Sequence, residues 1–179
     1  MSTHFDSFDI SPVPAPAWDA AAPENFRGIY GMPSFVTVTT SDMAASVTFW
    51  TGVLGFFSLF EIPGRLVHLR RWAFQDVLLV PGTPPQEGAS SPAVNFACVL
   101  AQIEQVSAAC EGFDGVVVSG PRDTPWNSRE VEVLTPEGIR VVFTAAKPYD
   151  PATQEAANLR AVGITAPAHG VEDNEAHGR

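Results

Sequence analysis

Cysteine, histidine and positive charge are all scarce in this chain, and each scarcity removes a class of function. The two cysteines, Cys98 and Cys110, have no CxxC spacing and lie in apolar runs, so they read as small buried hydrophobes rather than a disulfide framework. Ten Lys and Arg stand against twenty Asp and Glu, for a net charge of −10. Binding phosphates needs concentrated cations, so no nucleic-acid partner is expected. No apolar run approaches the ~18 residues of a membrane span, and Met1–Asp9 is polar with no basic start, unlike a secretory leader. The expectation is a cytoplasmic protein with no membrane partner. Of four histidines only His68 lies between residues 30 and 148; His4, His169 and His177 are in the ends.

What remains is ordinary globular material, 179 residues with 45% hydrophobic content, enough for one sizeable core or two small half-domains. Residues 1–29 are rich in Ala, Pro, Asp and Ser, and Pro12, Pro14, Pro16 and Pro23 forbid a regular helix, so an extended, loosely held arm is expected. Residues 30–82 then read as strand (Ser34 to Thr40), helix capped by Ser41 or Asp42, and three strands (Phe56 to Ile62, Leu66 to Phe74, Val77 to Val80). Met43, Val47, Trp50 and Leu54 set the helix's apolar face, Gly55 stops it, and Gln75 and Asp76 form the last turn. Residues 83–92 are a linker by composition. Residues 93–148 repeat the order, with a strand from Ala93, a helix over Gln102 to Cys110, a strand at Val116 to Ser119 and a closing hairpin. Residues 149–179 are a tail in which a short helix is expected from Pro151 to Val162.

The closing hairpin with the polar approach segment from Pro121 is the most legible stretch, PRDTPWNSREVEVLTPEGIRVVF. Val131 and Val133 alternate with Glu130 and Glu132 as in a half-buried strand, and Thr135–Gly138 is a proline-glycine turn. Ahead of it, Trp126 sits among Asp123, Thr124, Pro125, Asn127 and Ser128, a polar setting that suits an aromatic lying over a groove.

Phe35–Phe56, FVTVTTSDMAASVTFWTGVLGF, resembles the opening of the vicinal oxygen chelate superfamily, which includes glyoxalase I, extradiol dioxygenases, and fosfomycin and bleomycin resistance proteins. The closing hairpin resembles that superfamily's own. The resemblance covers about residues 33 to 146. It implies an α+β fold of tandem βαβββ modules whose curved mixed sheets enclose a concave cavity. In the superfamily's enzymes it also implies a divalent metal, held from the starts of strands one and five and the ends of strands four and eight. Here those positions fall on Phe35, Asn95, Leu79 (flanked by Leu78 and Val80) and Val142. None offers imidazole or carboxylate, so no metal and no cofactor are expected.

A cavity with aromatic walls is left. Alternation on the third strand puts Leu66, His68, Arg70, Trp72 and Phe74 on one face. The ligand-contacting candidates are Phe35, Thr37, Arg70, Trp72, Asn95 and Trp126. Resemblance to metal-free members implies a binding protein of the bleomycin-resistance type, a homodimer that sequesters an aromatic or conjugated drug-like molecule or secondary metabolite. A cofactor-free isomerase, cyclase or lyase is the alternative, with His68, Glu130, Glu132 and Arg129 as its acid-base candidates. A metal-dependent glyoxalase or dioxygenase with displaced ligands comes third.

Overall fold

The computed structural model describes residues 13–28, 34–84 and 93–161. Within them the order is β1 (Phe35–Thr40), α1 (Met43–Gly52), β2 (Phe57–Ile62), β3 (Leu66–Arg71), β4 (Gln75–Pro81), β5 (Ala93–Ala97), α2 (Leu100–Cys110), β6 (Val117–Asp123), β7 (Ser128–Leu134), β8 (Arg140–Ala146) and α3 (Gln154–Ala161). The strands form two four-stranded mixed sheets, ordered β1-β4-β3-β2 and β5-β8-β7-β6, in which only β1/β4 and β5/β8 run parallel. This is the α+β arrangement of two βαβββ modules that the repeat predicted.

Strand alternation decides which side chains meet the helices. Val38, Val67, Leu69, Val77 and Leu79 of the first sheet are buried with Phe49, Trp50 and Val53 on α1's side, and Val131, Val133, Val141 and Phe143 of the second with Ile103, Val106 and Cys110 of α2. All belong to one continuous core. Asp42 caps α1 through its Oδ1, 3.0 Å from Ala45 N. The buried stripe of α1 is Ser46, Phe49 and Trp50. Met43 and Val47, expected to be buried, are half-exposed, a difference that matters below.

The modules are joined through these helix-side faces. Phe49 meets Phe113 at 5.4 Å and Phe56 meets Phe96 at 5.2 Å, both edge to face. Arg71 crosses the joint. Its guanidinium lies 4.0 Å from the Trp72 ring and 5.2 Å from the Phe143 ring, and donates to Ala97 O at 2.5 Å and Gln102 Oε1 at 2.6 Å. Burial pushes its pKa down to about 10, which leaves it charged at neutral pH.

Three expectations are corrected. β3 stops at Arg71 because Trp72 (φ 53°) and Phe74 (φ 62°) adopt the left-handed conformation; residues 72–74 are the turn, and Gln75 and Asp76 open β4. Pro121, Arg122 and Asp123, read as an approach segment, belong to β6. The arm is held where it is described. Val13 and Ala20 pack on the core, and Phe26 N donates to Trp72 O at 2.9 Å. Trp18 is 67% exposed. The tail's short helix is present as α3, while residues 162–179, with His169 and His177, and most of the linker lie outside the described residues, as does His4.

Candidate ligand-binding site

The face of the first sheet turned away from α1 carries the richest chemistry. Register aligns Phe35 with Asp76 and Asp76 with Arg70, then Thr37 with Leu78, Leu78 with His68 and His68 with Phe60. Arg70 binds the Asp76 carboxylate in bidentate fashion, Nε to Oδ1 at 2.6 Å and Nη2 to Oδ2 at 2.8 Å. Both residues are buried, so each charge depends on the other. His68 Nε2 lies 3.4 Å from Asp76 Oδ2, in ion-pair contact but without hydrogen-bond geometry. Its ring stands edge to face between Phe35 (6.3 Å) and Phe60 (5.0 Å), which are 47% and 43% exposed.

Two ligand candidates are not available as expected. Arg70 is 1% exposed because the arm crosses it, with Nη1 donating to Phe26 O (3.2 Å) and Gly28 O (2.6 Å). Trp72 is 3% exposed and stacks under Arg71 in the core, since the left-handed turn carries it off the face that alternation assigned to it. Phe35 and Thr37 remain exposed on the sheet.

The second sheet's face away from α2 holds exposed Asn95, with Glu130, Glu132 and Thr144 nearby in register. Glu130 accepts from Thr144 Oγ1 at 3.3 Å, and Arg122 lies 3.8 Å from Glu130 and 3.7 Å from Glu132. Arg129 faces the opposite way, pairing with Glu104 of α2 at 2.9 Å. The four acid-base candidates are therefore not one constellation: His68 is on one sheet, the two glutamates on the other, and Arg129 on its reverse side. Trp126, 58% exposed, rides on the β6–β7 turn, where Thr124 Oγ1 accepts from Trp126 N (3.2 Å) and Ser128 N (3.3 Å).

The family model described as Glyoxalase/Bleomycin resistance protein/Dioxygenase superfamily matches residues 33–143. The chain belongs to that superfamily. Solved structures with the same fold include an integron cassette protein from the mobile metagenome of the Halifax Harbour sewage outfall (24% identity, TM-score 0.51, covering 65% of this chain and 99% of that one). Others are the bleomycin-binding protein of Streptomyces verticillus complexed with copper(II)-bleomycin (22%, 0.51, 67% and 100%) and a fosfomycin resistance protein of Mesorhizobium loti (13%, 0.54, 66% and 95%). No curated protein matches.

This superfamily member does not fit a divalent metal at the positions its enzymes use. Phe35, Asn95 and Val142 do lie on the faces away from the helices, but offer no imidazole or carboxylate. Leu79 points into the core; Leu78 is the β4 residue on the far face and is no better a ligand. Among the described residues no three His, Cys, Asp or Glu side chains converge. The thiols are no substitute, because burial pushes Cys98 up to about 12 and Cys110 up to about 11. Among the described residues no helix is long and apolar enough to cross a membrane. Asp76 is the site residue that sequence reasoning missed. Its signal was its spacing, six residues beyond Arg70, which a three-residue turn places directly across from it.

Proposed function

We propose that this superfamily member is a metal-independent small-molecule binding protein of the bleomycin-resistance type, which sequesters an aromatic or conjugated drug-like compound or secondary metabolite. One observation carries the reading: the position where the enzymes place a metal ligand is held by Phe35, which with Phe60 presents exposed ring surface on both sides of His68. A planar guest gains both stacking and area burial there. Thr37, and Asn95 and Trp126 on the second module, supply polar and aromatic edges. The modules meet through their helix-side faces, so among the described residues the parts of the two far faces that the arm does not cross are open to a guest and a second copy, and a homodimer completes the groove.

The test joins elemental analysis of protein purified without chelator to titration with metal-free bleomycin and with small molecules released from the protein as purified. No stoichiometric metal, and binding weakened about tenfold or more by Phe35→Ala, are expected. Stoichiometric zinc, iron or manganese would remove the reading. The contact between His68 and Asp76 favours a second reading, a cofactor-free isomerase or cyclase in which Asp76 orients His68 for proton transfer. Turnover of a bound compound that His68→Gln abolishes while binding persists would select it.

A further inference from the structure

The two modules repeat closely enough that a difference between them can be read as a site. Helix starts align Met43 with Leu100, which puts Ser46, Phe49 and Val53 opposite Ile103, Val106 and Cys110, all buried. Strand register aligns Val67, paired with Leu79, with Val131, paired with Phe143, again all buried. By the same alignment Val47 takes the place of Glu104, and Arg65 that of Arg129.

In the second module the gap between helix and hairpin is closed. Glu104 Oε1 meets Arg129 Nη2 at 2.9 Å, Leu100 is buried near the arm, and α3 covers the end with Ala156 buried and Asn158 bonded to Pro125 O at 3.2 Å. In the first module the same gap is a cavity of about 520 Å³, floored by Met43, Val47, Ile62, Leu66, Val67 and Pro81. Arg65 stands on its wall with no carboxylate of the described residues in ion-pair distance; Glu61 also lines the cavity but does not reach it. The apolar floor and the charge that Glu104 would have supplied are both left without their counterpart.

We propose that this cavity is a second ligand site, separate from the Phe35–His68 face, for a free amphiphile with an apolar body and a carboxylate head, such as a medium-chain fatty acid. The tail covers Met43 and Val47, and the head gives Arg65 the partner that Glu104 gives Arg129. The volume lies within the usual range for small-molecule sites.

Calorimetric titration of the full chain with decanoate, decanol and decylamine, followed by amide shift mapping, tests this. Decanoate should bind with 1:1 stoichiometry and shift amides of α1 and the β2–β3 hairpin. Decanol and decylamine should bind at least about tenfold more weakly, and Arg65→Gln, an exposed change, should weaken decanoate by a similar factor. Val47→Glu, which rebuilds the second module's ion pair, should abolish binding, whereas Phe35→Ala should leave it intact. Decanoate that fails to bind, binds no better than decanol, or shifts amides around Phe35 and His68 instead would overturn the proposal. Binding seen only after removal of the residues beyond Ala161 would overturn it as well, by giving the cavity to the chain's own tail.

Discussion

Asp76 holds the most consequential charge on the first sheet, because the Arg70 guanidinium it grips is 1% exposed and, among the described residues, also donates to the neutral carbonyls of Phe26 and Gly28. Asp76→Asn keeps the shape but removes one charge of a buried, bidentate ion pair, and should cost about 3–5 kcal/mol in urea unfolding. The double change Arg70→Met with Asp76→Leu should recover much of that loss, since it removes both desolvation penalties. If the single change is nearly neutral, the pair is not the buried clamp described. Cys98 gives a second prediction at this scale. Burial pushes its thiol up to about 12 from the ordinary 9.0, so the folded state retains a proton that the unfolded state has lost between those values. Stability should be unaffected by this thiol at neutral pH and should fall as pH rises above about 9. Native protein at pH 8 should resist a thiol reagent that labels both cysteines after denaturation; rapid native labelling of Cys98 would contradict its burial.

Elements were legible wherever a period of two or of 3.6 ran undisturbed. Val131 and Val133 alternate with Glu130 and Glu132 as read, the Thr135–Gly138 turn has Gly138 at φ 76°, and Asp42 caps its helix. The β3–β4 turn was not legible, because Trp72 and Phe74 look like strand residues and neither is a residue that usually takes a positive φ. The arm compensates: Asn25 Oδ1 accepts from Trp72 N at 3.3 Å and Phe26 N donates to Trp72 O at 2.9 Å, so a segment distant in sequence holds the turn. The same long-range contact hid Arg70 from a reading based on alternation alone. Magnitudes decide what Trp72→Gly should do. Relief of the left-handed backbone is worth about 1–2 kcal/mol, and loss of a buried tryptophan costs about 3–5 kcal/mol. Burial wins, so the variant should be less stable by roughly 1–4 kcal/mol in thermal or urea unfolding. A gain in stability would mean that the ring contributes little packing and that the turn is under greater strain than argued here.

For the whole molecule, the question is whether two repeated modules behave as one folding unit. Their joint is not a thin surface contact. Arg71 reaches from β3 to Ala97 O and Gln102, two aromatic pairs cross it, and Ser46 of α1 donates to the buried Glu137 of the β7–β8 turn. Shared core on that scale makes the opening of one module expose apolar surface on the other, so a single cooperative transition is expected. In a Trp18→Phe, Trp126→Phe background, fluorescence of Trp50 and Trp72, both in the first module, and far-UV circular dichroism should give coincident urea curves. Arg71→Met should lower the stability by about 1–3 kcal/mol, since it removes the buried guanidinium that donates to Ala97 O and Gln102 Oε1 across the joint. The slope should be unchanged, because the same surface is exposed on unfolding. Hydrogen exchange distinguishes the outcomes: β7 and β8 amides should exchange only with global unfolding. If they exchange while both tryptophans are still buried, the second module opens alone and the joint does not couple the two halves.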